Sequence, residues 1–261
     1  MPFVYHQKVQ FYYFNNFEAS GQLVHGFTTR KGGVGRTPYD TLNTAFHVGD
    51  DINTVRTNRA IACRALGIRP EDLVAGKQVH GDRIAVVGAS DRGKGALSYE
   101  DALPDTDALI TADAYVPISS YYADCVPLFF LDIKTPAVGL AHAGWRGTVR
   151  KIGQKTVLKM MKEFGSLPEN ILVGIGPCIK SCCYEVDEPV VEVIKKAFTY
   201  WDELILETET GKWMLDLVLT NKKQLEEVGI SPQNITESGF CTSCNNDLFF
   251  SYRKEKGKTG S

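Results

Sequence analysis

Short apolar or alternating runs recur along the chain, separated by glycine, proline, asparagine and aspartate. Runs of this kind are typical of β-strands. They predict strands at residues 23–30, 73–80, 84–87, 107–111, 119–124, 127–132, 137–142, 171–175 and 249–252. Apolar residues at helical spacing, with capping and terminating residues beside them, predict helices at residues 50–66, 148–164, 189–198 and 216–228.

Several predicted strands follow one another without an intervening helix. This order favours an α+β (mixed α/β) fold, with helices packed on consecutive mixed β-sheets, over strict βαβ winding. No internal repeat or long linker divides the chain, and 261 residues can bury one sizeable core. We therefore predict a single layered catalytic domain over residues 1–253. The charged, glycine-containing residues 254–261 are predicted to form a mobile tail.

Composition narrows the class of protein. Hydrophobic residues make up 43% and charged residues 23% of the chain, as in an ordinary globular enzyme. The net charge of −2 predicts no general attraction to nucleic acid or to an anionic membrane. No stretch approaches the ~20 apolar residues that span a bilayer, and the first residues lack the pattern of a signal peptide. The expected location is cytoplasmic.

The chain has seven cysteines, an odd number that cannot all pair within one molecule. Cys241-x-x-Cys244 has the spacing of half a zinc site or of a redox pair, but no second C-x-x-C follows it. Cys178, Cys182 and Cys183 cluster after a glycine turn. For all five, the favoured interpretation is of small, reduced hydrophobic residues.

Three other segments each offer one borderline or soft metal ligand: Gln78-Val79-His80, Ala123-Asp124-Cys125, and Ala141-His142-Ala143-Gly144-Trp145-Arg146-Gly147. Two imidazoles and one thiolate would leave a fourth tetrahedral position free, as in catalytic zinc sites. The ligands are dozens of residues apart, so their spacing alone does not show that they meet in space.

The predicted strand 137–142 places His142 at its carboxyl end, just before a glycine-framed turn that opens a helix. The backbone amides at the start of that helix, after Gly147, and the guanidinium of Arg146 could bind an anion beside His142. Alternatively, the two glycines of the turn serve only to reverse the chain, and Arg146 pairs with a surface acid.

A metal-free interpretation competes with the zinc site. Cys125 and His142 could form a nucleophilic pair, with Asp124 orienting the histidine. His80 would then have no catalytic role and would be an ordinary structural histidine. Further candidates for substrate contact are Arg30, Asn43 and Arg59, although for each residue alone the favoured interpretation is a turn or surface position.

Taken together, the segments resemble the laccase-domain family, also called the multicopper polyphenol oxidase-like or purine nucleoside phosphorylase family. The matching motifs run in order through most of the chain. They are Thr28-Thr29-Arg30-Lys31-Gly32-Gly33-Val34, Pro38-Tyr39-Asp40-Thr41-Leu42-Asn43, Val48-Gly49-Asp50, Asn58-Arg59, the three ligand segments, Gly176-Pro177-Cys178-Ile179, Tyr184-Glu185-Val186, Asp216-Leu217, Cys241-Thr242 and Phe249-Phe250-Ser251-Tyr252-Arg253.

The resemblance implies a single-domain zinc enzyme acting on purine nucleosides. It would use inorganic phosphate to cleave inosine, guanosine, adenosine and methylthioadenosine, and it would also deaminate adenosine. Its activities would be those of a glycosyltransferase and a hydrolase. The expected assembly is a monomer or small homo-oligomer. A link of some relatives to peptidoglycan precursors leaves an alternative, a metal-independent Cys–His hydrolase acting on a peptide or precursor bond.

The same resemblance assigns one catalytic Zn²⁺ to His80, Cys125 and His142. Copper is not expected, because five histidines cannot supply the several sites of a multicopper oxidase. Asp124 would orient a neighbouring group or carry a proton. Four residues are expected to contact substrate or phosphate: Arg30, Asn43, Arg59 and Arg146.

Overall fold

The computed structural model describes the backbone of residues 3–6 and all atoms of residues 9–261. Residues 1, 2, 7 and 8, at the start of the predicted domain, lie outside the described residues. The described strands are β1 (Phe3–His6), β2 (Val9–Tyr12), β3 (Phe27–Thr28), β4 (Val74–Ala75), β5 (Ile84–Val86), β6 (Ala108–Thr111), β7 (Ile118–Ser119), β8 (Val126–Asp132), β9 (Ala137–Ala143), β10 (Ile171–Ile175), β11 (Glu185–Val186), β12 (Ile205–Glu209), β13 (Lys212–Leu215) and β14 (Ile235–Glu237). The described α-helices are α1 (Asn15–Glu18), α2 (Ile52–Ala65), α3 (Trp145–Val149), α4 (Ile152–Phe164), α5 (Glu188–Ala197), α6 (Trp201–Leu204) and α7 (Leu217–Glu227).

A six-stranded sheet, in the order β14-β10-β8-β9-β6-β5, forms the centre of the fold. The pairs β10–β14 and β5–β6 are parallel, whereas β10–β8, β8–β9 and β9–β6 are antiparallel. Every residue of β8 is buried, since both faces of the sheet are covered. On one face, Leu128 and Phe130 join the core formed with α4; on the other, Phe129 and Leu131 pack with Phe14. The predicted class, helices layered on mixed sheets in one domain, is confirmed.

Three smaller sheets surround the centre, in the orders β1-β2-β3, β11-β13-β12 and β4-β7. The strands β12 and β13 escaped prediction because β12 is largely exposed and ends in three polar residues, while β13 has only four residues, so no apolar alternation marks either strand. Among the described residues, no helix has the length and apolar character needed to cross a membrane.

Helix boundaries follow local sequence signals where those signals are strong. Asp51 caps α2 by accepting the amide of Thr54 at 2.8 Å. Gly165 ends α4 in the left-handed conformation, with φ 70°. The predicted single helix 148–164 is wrong at its start: Lys151 adopts φ 61° and separates α3 from α4.

Four predicted strands are shorter than expected or absent. Residues 23–30 and 73–80 contribute only β3 and β4, and 119–124 contributes only the last residue of β7. The strand predicted at 249–252 is wrong, because these residues form a bend and a turn joined by irregular backbone. Phe249 and Phe250 are nevertheless buried. Apolar side chains that anchor a loop produce the same pattern as a strand, and periodicity alone does not separate the two.

The end of the chain contacts the body of the fold. The amide of Ser261 donates to Asn43 Oδ1 at 3.0 Å, and its carbonyl accepts the amide of Thr44 at 3.0 Å. Glu255 pairs with Arg30 at 3.0 Å. These contacts favour a docked end, while the boundary at residue 253 and the mobility of residues 254–261 stay predictions.

Candidate metal centre

The sheet topology brings distant residues to one edge. Cys125 immediately precedes β8, and His142 lies near the end of β9, which pairs antiparallel with β8 so that Pro127 faces His142. On the other side of β9, Ala108 pairs with Ala141, which places the start of β6 at the same edge. The loop carrying His80 leads into β5, which runs parallel to β6. All three segments therefore meet at this edge.

His80, Cys125 and His142 form a compact group whose ligand atoms lie within 4.8 Å of one another. The two imidazole rings are 4.7 Å apart between centroids and inclined at 71°. His142 is only 4% exposed and Cys125 is partly buried, whereas His80 is exposed. The group could hold a metal ion, and it opens to solvent on the side of His80.

Asp107 positions two of these three residues. Its Oδ1 lies 2.9 Å from His142 Nδ1, so Nε2 of that ring is the nitrogen left to bind a ligand. The same carboxylate accepts the amides of Val79, His80 and Gly81 at 3.1, 3.0 and 2.8 Å. Burial alone would raise the pKa of Asp107, but the hydrogen bond and charge of His142, together with the amides of Gly81 and Val79, lower it below its ordinary value.

Unusual backbone conformations shape the site. His80 and Asp124 have backbone φ angles of 59° and 87°, in a region that residues other than glycine rarely adopt. Gly144 passes so close that an added Cβ would lie 2.9 Å from both Cys125 Sγ and His80 Cδ2. Gly147 lies within α3, since that helix begins at Trp145. The prediction that a helix opens after Gly147 is therefore wrong.

Charge separation is favoured between the buried thiol and the buried imidazole. For Cys125, desolvation would raise the pKa, but the charge and hydrogen bond of His142, and the neighbouring His80, lower it to about 6. For His142, desolvation would lower the pKa, but Cys125 and Asp107 raise it to about 9. In the absence of metal, these two shifts favour a thiolate and an imidazolium at neutral pH. A thiolate is also the form of cysteine that binds metal.

Asp124 does not orient His142, contrary to the sequence-based hypothesis for a Cys–His pair; Asp107 does. The Asp124 carboxylate accepts Thr242 Oγ1 at 2.6 Å and the amide of Arg253 at 2.7 Å. It therefore joins the loop that carries Cys125 to the C-terminal segment. These contacts favour a loop-orienting role for Asp124 over that of a proton carrier, and both roles stay predictions.

Arg146 is the best placed of the predicted anion-binding residues. It is exposed, with its guanidinium 4.5 Å from the centre of the Trp145 ring. Among the described residues, its guanidinium makes no hydrogen bond or ion pair. Nearby, burial and the charge of Cys125 raise the pKa of Tyr184 to about 12, while Arg253 and Arg146 act in the opposite direction. Tyr184 thus lies within electrostatic range of Cys125 and of both arginines.

Arg30 and Arg59 are engaged by the protein itself. Arg30 donates to the carbonyls of Asp40 and Asn246 at 2.9 and 2.8 Å, in addition to its pairing with Glu255. Arg59 is 3% exposed and donates to carbonyls, including that of Thr44 at 2.7 Å.

Asn43 is likewise engaged. It is fully buried, and its amide group donates to Asp50 Oδ2 at 3.0 Å. The side chains of Arg30, Asn43 and Arg59 are therefore already hydrogen-bonded within the protein, and the structure does not present them to the three candidate ligands. Their substrate contacts stay predictions.

Sequence reasoning missed two positioning residues. Asp107 is one of many acids in the chain. The only sequence signal that could have drawn attention to it is its position directly before an apolar run. Gln78 is part of the motif Gln78-Val79-His80, in which the sequence pattern indicates a role only for the histidine. Gln78 donates to the carbonyl of Tyr121 and accepts that residue's amide, both at 2.9 Å. This exchange holds the loop of His80 against the segment that leads to Cys125.

A cavity of about 880 Å³ lies nearby, lined mainly by apolar residues. Tyr122 lines it and also contacts His142, at 5.5 Å between ring centroids. Among the described residues, none of the three candidate ligands lines this cavity. The metal group is thus reached from its exposed His80 side rather than through the cavity.

Comparisons with known proteins agree with this geometry. Residues 24–261 match the model of the family described as multi-copper polyphenol oxidoreductase laccase. The chain is 38% identical over 239 residues to the purine nucleoside phosphorylase YlmD of Bacillus subtilis (strain 168), covering 92% of this chain and 86% of that protein. It is 36% identical to the adenosine deaminase RL5 of an unknown prokaryotic organism, covering 92% of each.

A solved structure is similar over nearly the whole length. The crystal structure of Bacillus licheniformis hypothetical protein YfiH superposes with a TM-score of 0.93 at 38% identity, covering 99% of this chain and 96% of that one. Both the sequence and the fold therefore point to the same group of proteins.

We expect Gly144→Ala to lower the number of metal ions bound per chain by about one, because its Cβ would lie only 2.9 Å from Cys125 Sγ and from His80 Cδ2, closer than van der Waals contact allows. The measurement is elemental analysis after dialysis, with circular dichroism to verify the fold. Gly88→Ala is the matched control, since its Cβ would meet only the end of the Asp113 side chain. Wild-type metal content in Gly144→Ala would contradict this account.

We expect Asp107→Asn to weaken metal binding by about 10–100-fold, because it removes the negative charge that orients His142 and raises its basicity. Competition with a chromogenic chelator measures the dissociation constant. Asp113→Asn is the control, because Asp113 also accepts a backbone amide, that of Ala89 at 2.9 Å. Equal affinity in wild type and Asp107→Asn would refute the positioning role.

Proposed function

The chain belongs to the multi-copper polyphenol oxidoreductase laccase family, and from this membership we propose that it is a zinc-dependent enzyme of purine nucleosides. The proposed reactions are phosphorolysis of inosine, guanosine, adenosine and methylthioadenosine, and hydrolytic deamination of adenosine. The observation that carries the proposal is the convergence of His80, Cys125 and His142 at an exposed edge of the sheet. The names of the relatives, a purine nucleoside phosphorylase and an adenosine deaminase, support the substrate class.

The donor set decides which metals fit. Two imidazoles and one thiolate suit zinc with an open fourth position, and they also suit a single blue-copper ion. A multicopper centre would need many more imidazoles than the five in this chain, and His25 is already buried with its Nε2 accepting the amide of Phe14 at 2.9 Å. We choose zinc because the relatives are named for nucleoside chemistry and not for electron transfer.

When bound, zinc would supply Lewis-acid chemistry at the open side of the site. The chain supplies the geometry. Asp107 fixes the His142 ring with Nε2 turned toward Cys125, and it holds the His80 loop in place through three backbone amides. Such pre-positioned ligands do not have to reorganise when substrate binds.

In phosphorolysis, phosphate attacks C1′ of the ribose as the purine leaves, so the site requires a cation that binds phosphate. Arg146 is exposed and adjoins the site, and its planar fork suits a phosphate oxygen pair. The amide of Arg253 is held by Asp124, which places this second arginine beside the loop of Cys125. We assign phosphate binding to Arg146, supported by Arg253.

One observation favours a second candidate function. The low pKa of Cys125, about 6, and the high pKa of His142, about 9, would suit a metal-independent Cys–His hydrolase acting on a peptide or peptidoglycan-precursor bond. In that enzyme His80 would be dispensable. Alkylation of the thiol would abolish activity, and chelators would have no effect.

The decisive experiment incubates metal-analysed protein with adenosine, with and without phosphate, and separates the products by chromatography. Adenine that appears only with phosphate establishes phosphorolysis, and inosine without phosphate establishes deamination. His80→Ala should lose both, because it removes one of three proposed ligands.

Two results would reject the proposal. The zinc-loaded protein could leave adenosine, inosine and guanosine unchanged. Alternatively, full activity of the zinc-free protein or of His80→Ala would transfer the chemistry to the Cys125–His142 pair.

We expect Arg146→Ala to lower kcat/KM for phosphorolysis by about 10–100-fold, the effect of losing one charged hydrogen-bonding group. Deamination, which uses no phosphate, should change much less. Steady-state assays of both reactions test this, with Arg64→Ala as a control at an exposed arginine of α2. Equal losses in the two reactions would exclude a role in phosphate binding.

A further inference from the structure

A second group of potential ligands lies outside the site described so far. It consists of four cysteines, Cys182, Cys183, Cys241 and Cys244, whose sulfur atoms all lie within 4.8 Å of one another. The separations are 3.4 Å for Cys183–Cys244, 3.7 Å for Cys182–Cys244 and 3.8 Å for Cys182–Cys183. Nothing in the nucleoside chemistry proposed above uses these thiols.

The distances correspond to the edges of a coordination tetrahedron. Zinc–thiolate bonds of ~2.3 Å in tetrahedral geometry place neighbouring sulfur atoms ~3.8 Å apart. A disulfide would instead require a separation of ~2.05 Å, and Cys244 lies at similar distances from two partners rather than next to one. The arrangement therefore fits one shared ion better than it fits paired sulfurs.

Backbone contacts hold the two cysteine-bearing loops side by side. The carbonyl of Cys178 accepts the amide of Thr242 at 3.0 Å, which joins the loops next to Cys241. In the first loop, the amide of Cys183 donates to the carbonyl of Lys180 at 2.9 Å and forms a tight turn. In the second, the amide of Asn245 donates to the carbonyl of Cys241 at 3.0 Å. Both pairs of thiols are thus turned toward each other by ordinary loop structure.

We propose that Cys182, Cys183, Cys241 and Cys244 bind a single Zn²⁺ ion as four thiolates, in a closed structural site separate from the three-ligand centre. Each bound thiol would release its proton. The C-x-x-C pair supplies half of the ligands at familiar spacing, and the adjacent pair on the other loop supplies the rest. Soft thiolate ligands in a tetrahedron select zinc over the hard divalent cations.

The site would also steady the candidate catalytic loop. Thr242 follows Cys241 directly and donates to Asp124 Oδ1 at 2.6 Å, and Asp124 adjoins Cys125. An ion that clamps Cys241 would therefore limit the motion of the group that holds the Cys125 loop. This effect is one of positioning, since none of the four thiols belongs to the three-ligand group.

Metal counting tests the proposal independently of any enzyme activity. Elemental analysis of protein purified with zinc should give about two ions per chain for wild type. It should give about one for His80→Ala and about one for Cys244→Ser. Cys63→Ser is the control: this thiol is buried outside both groups and should leave the count unchanged.

Cobalt substitution provides a readout that does not depend on a cysteine variant folding. His80→Ala loaded with Co²⁺ should show the intense visible absorption of a tetrahedral thiolate complex, because the four-cysteine site remains intact. The proposal would be overturned if the wild-type protein bound only one ion per chain and His80→Ala bound none. The absence of a thiolate spectrum in cobalt-loaded His80→Ala, or a disulfide found among these four cysteines by mass spectrometry, would also overturn it.

Discussion

The carboxylate of Asp107 is the contact on which the candidate metal centre depends. A buried charge is costly unless it is paired and hydrogen-bonded, and Asp107 meets that requirement with three backbone amides and the imidazole of His142. Each of those donors belongs to a segment that carries a candidate ligand. The energetic need to satisfy one buried acid thus fixes the relative position of His80 and His142, whether or not a metal is present.

The remaining geometry is imposed by the backbone. The left-handed conformations of His80 and Asp124 each cost on the order of 1–3 kcal/mol. They persist because the hydrogen bonds of Asp107, Thr242 and Arg253 hold both residues from outside. The missing side chain of Gly144 then leaves just enough room for a thiol and an imidazole to meet. Strain and close approach coincide at the three ligands, as is common at functional sites.

Sequence patterns predicted what is local and failed where partners are distant. Long apolar runs predicted β8 and β9, and Asp51 predicted the start of α2, because the forces concerned act within a few residues. The strand expected at 249–252 is absent. It is predicted because Phe249 and Phe250, which are buried in a loop, produce the same apolar pattern as a strand.

The site shows the same division. Motifs indicated His80, Cys125 and His142, but no pattern in the chain distinguishes Asp107 from other acids. Only the antiparallel pairing of β6 with β9 brings Asp107 beside His142. Likewise, the adjacent pair Cys182–Cys183 has no recognised spacing to Cys241, and their proximity follows from the contact between the two loops.

The residues predicted to contact substrate show that the chemistry of a side chain does not reveal which group it binds. Arg30 has the fork that suits an anion, and it does bind one, but the anion is the carboxylate of Glu255 in the same chain. Asn43 similarly meets the amide of Ser261. Both residues therefore dock the C-terminal segment, and that segment in turn supplies Thr242 and Arg253 to Asp124. The geometry favours an indirect contribution: these residues seat the part of the chain that holds the Cys125 loop, and Arg146 is left with its charge available to a ligand.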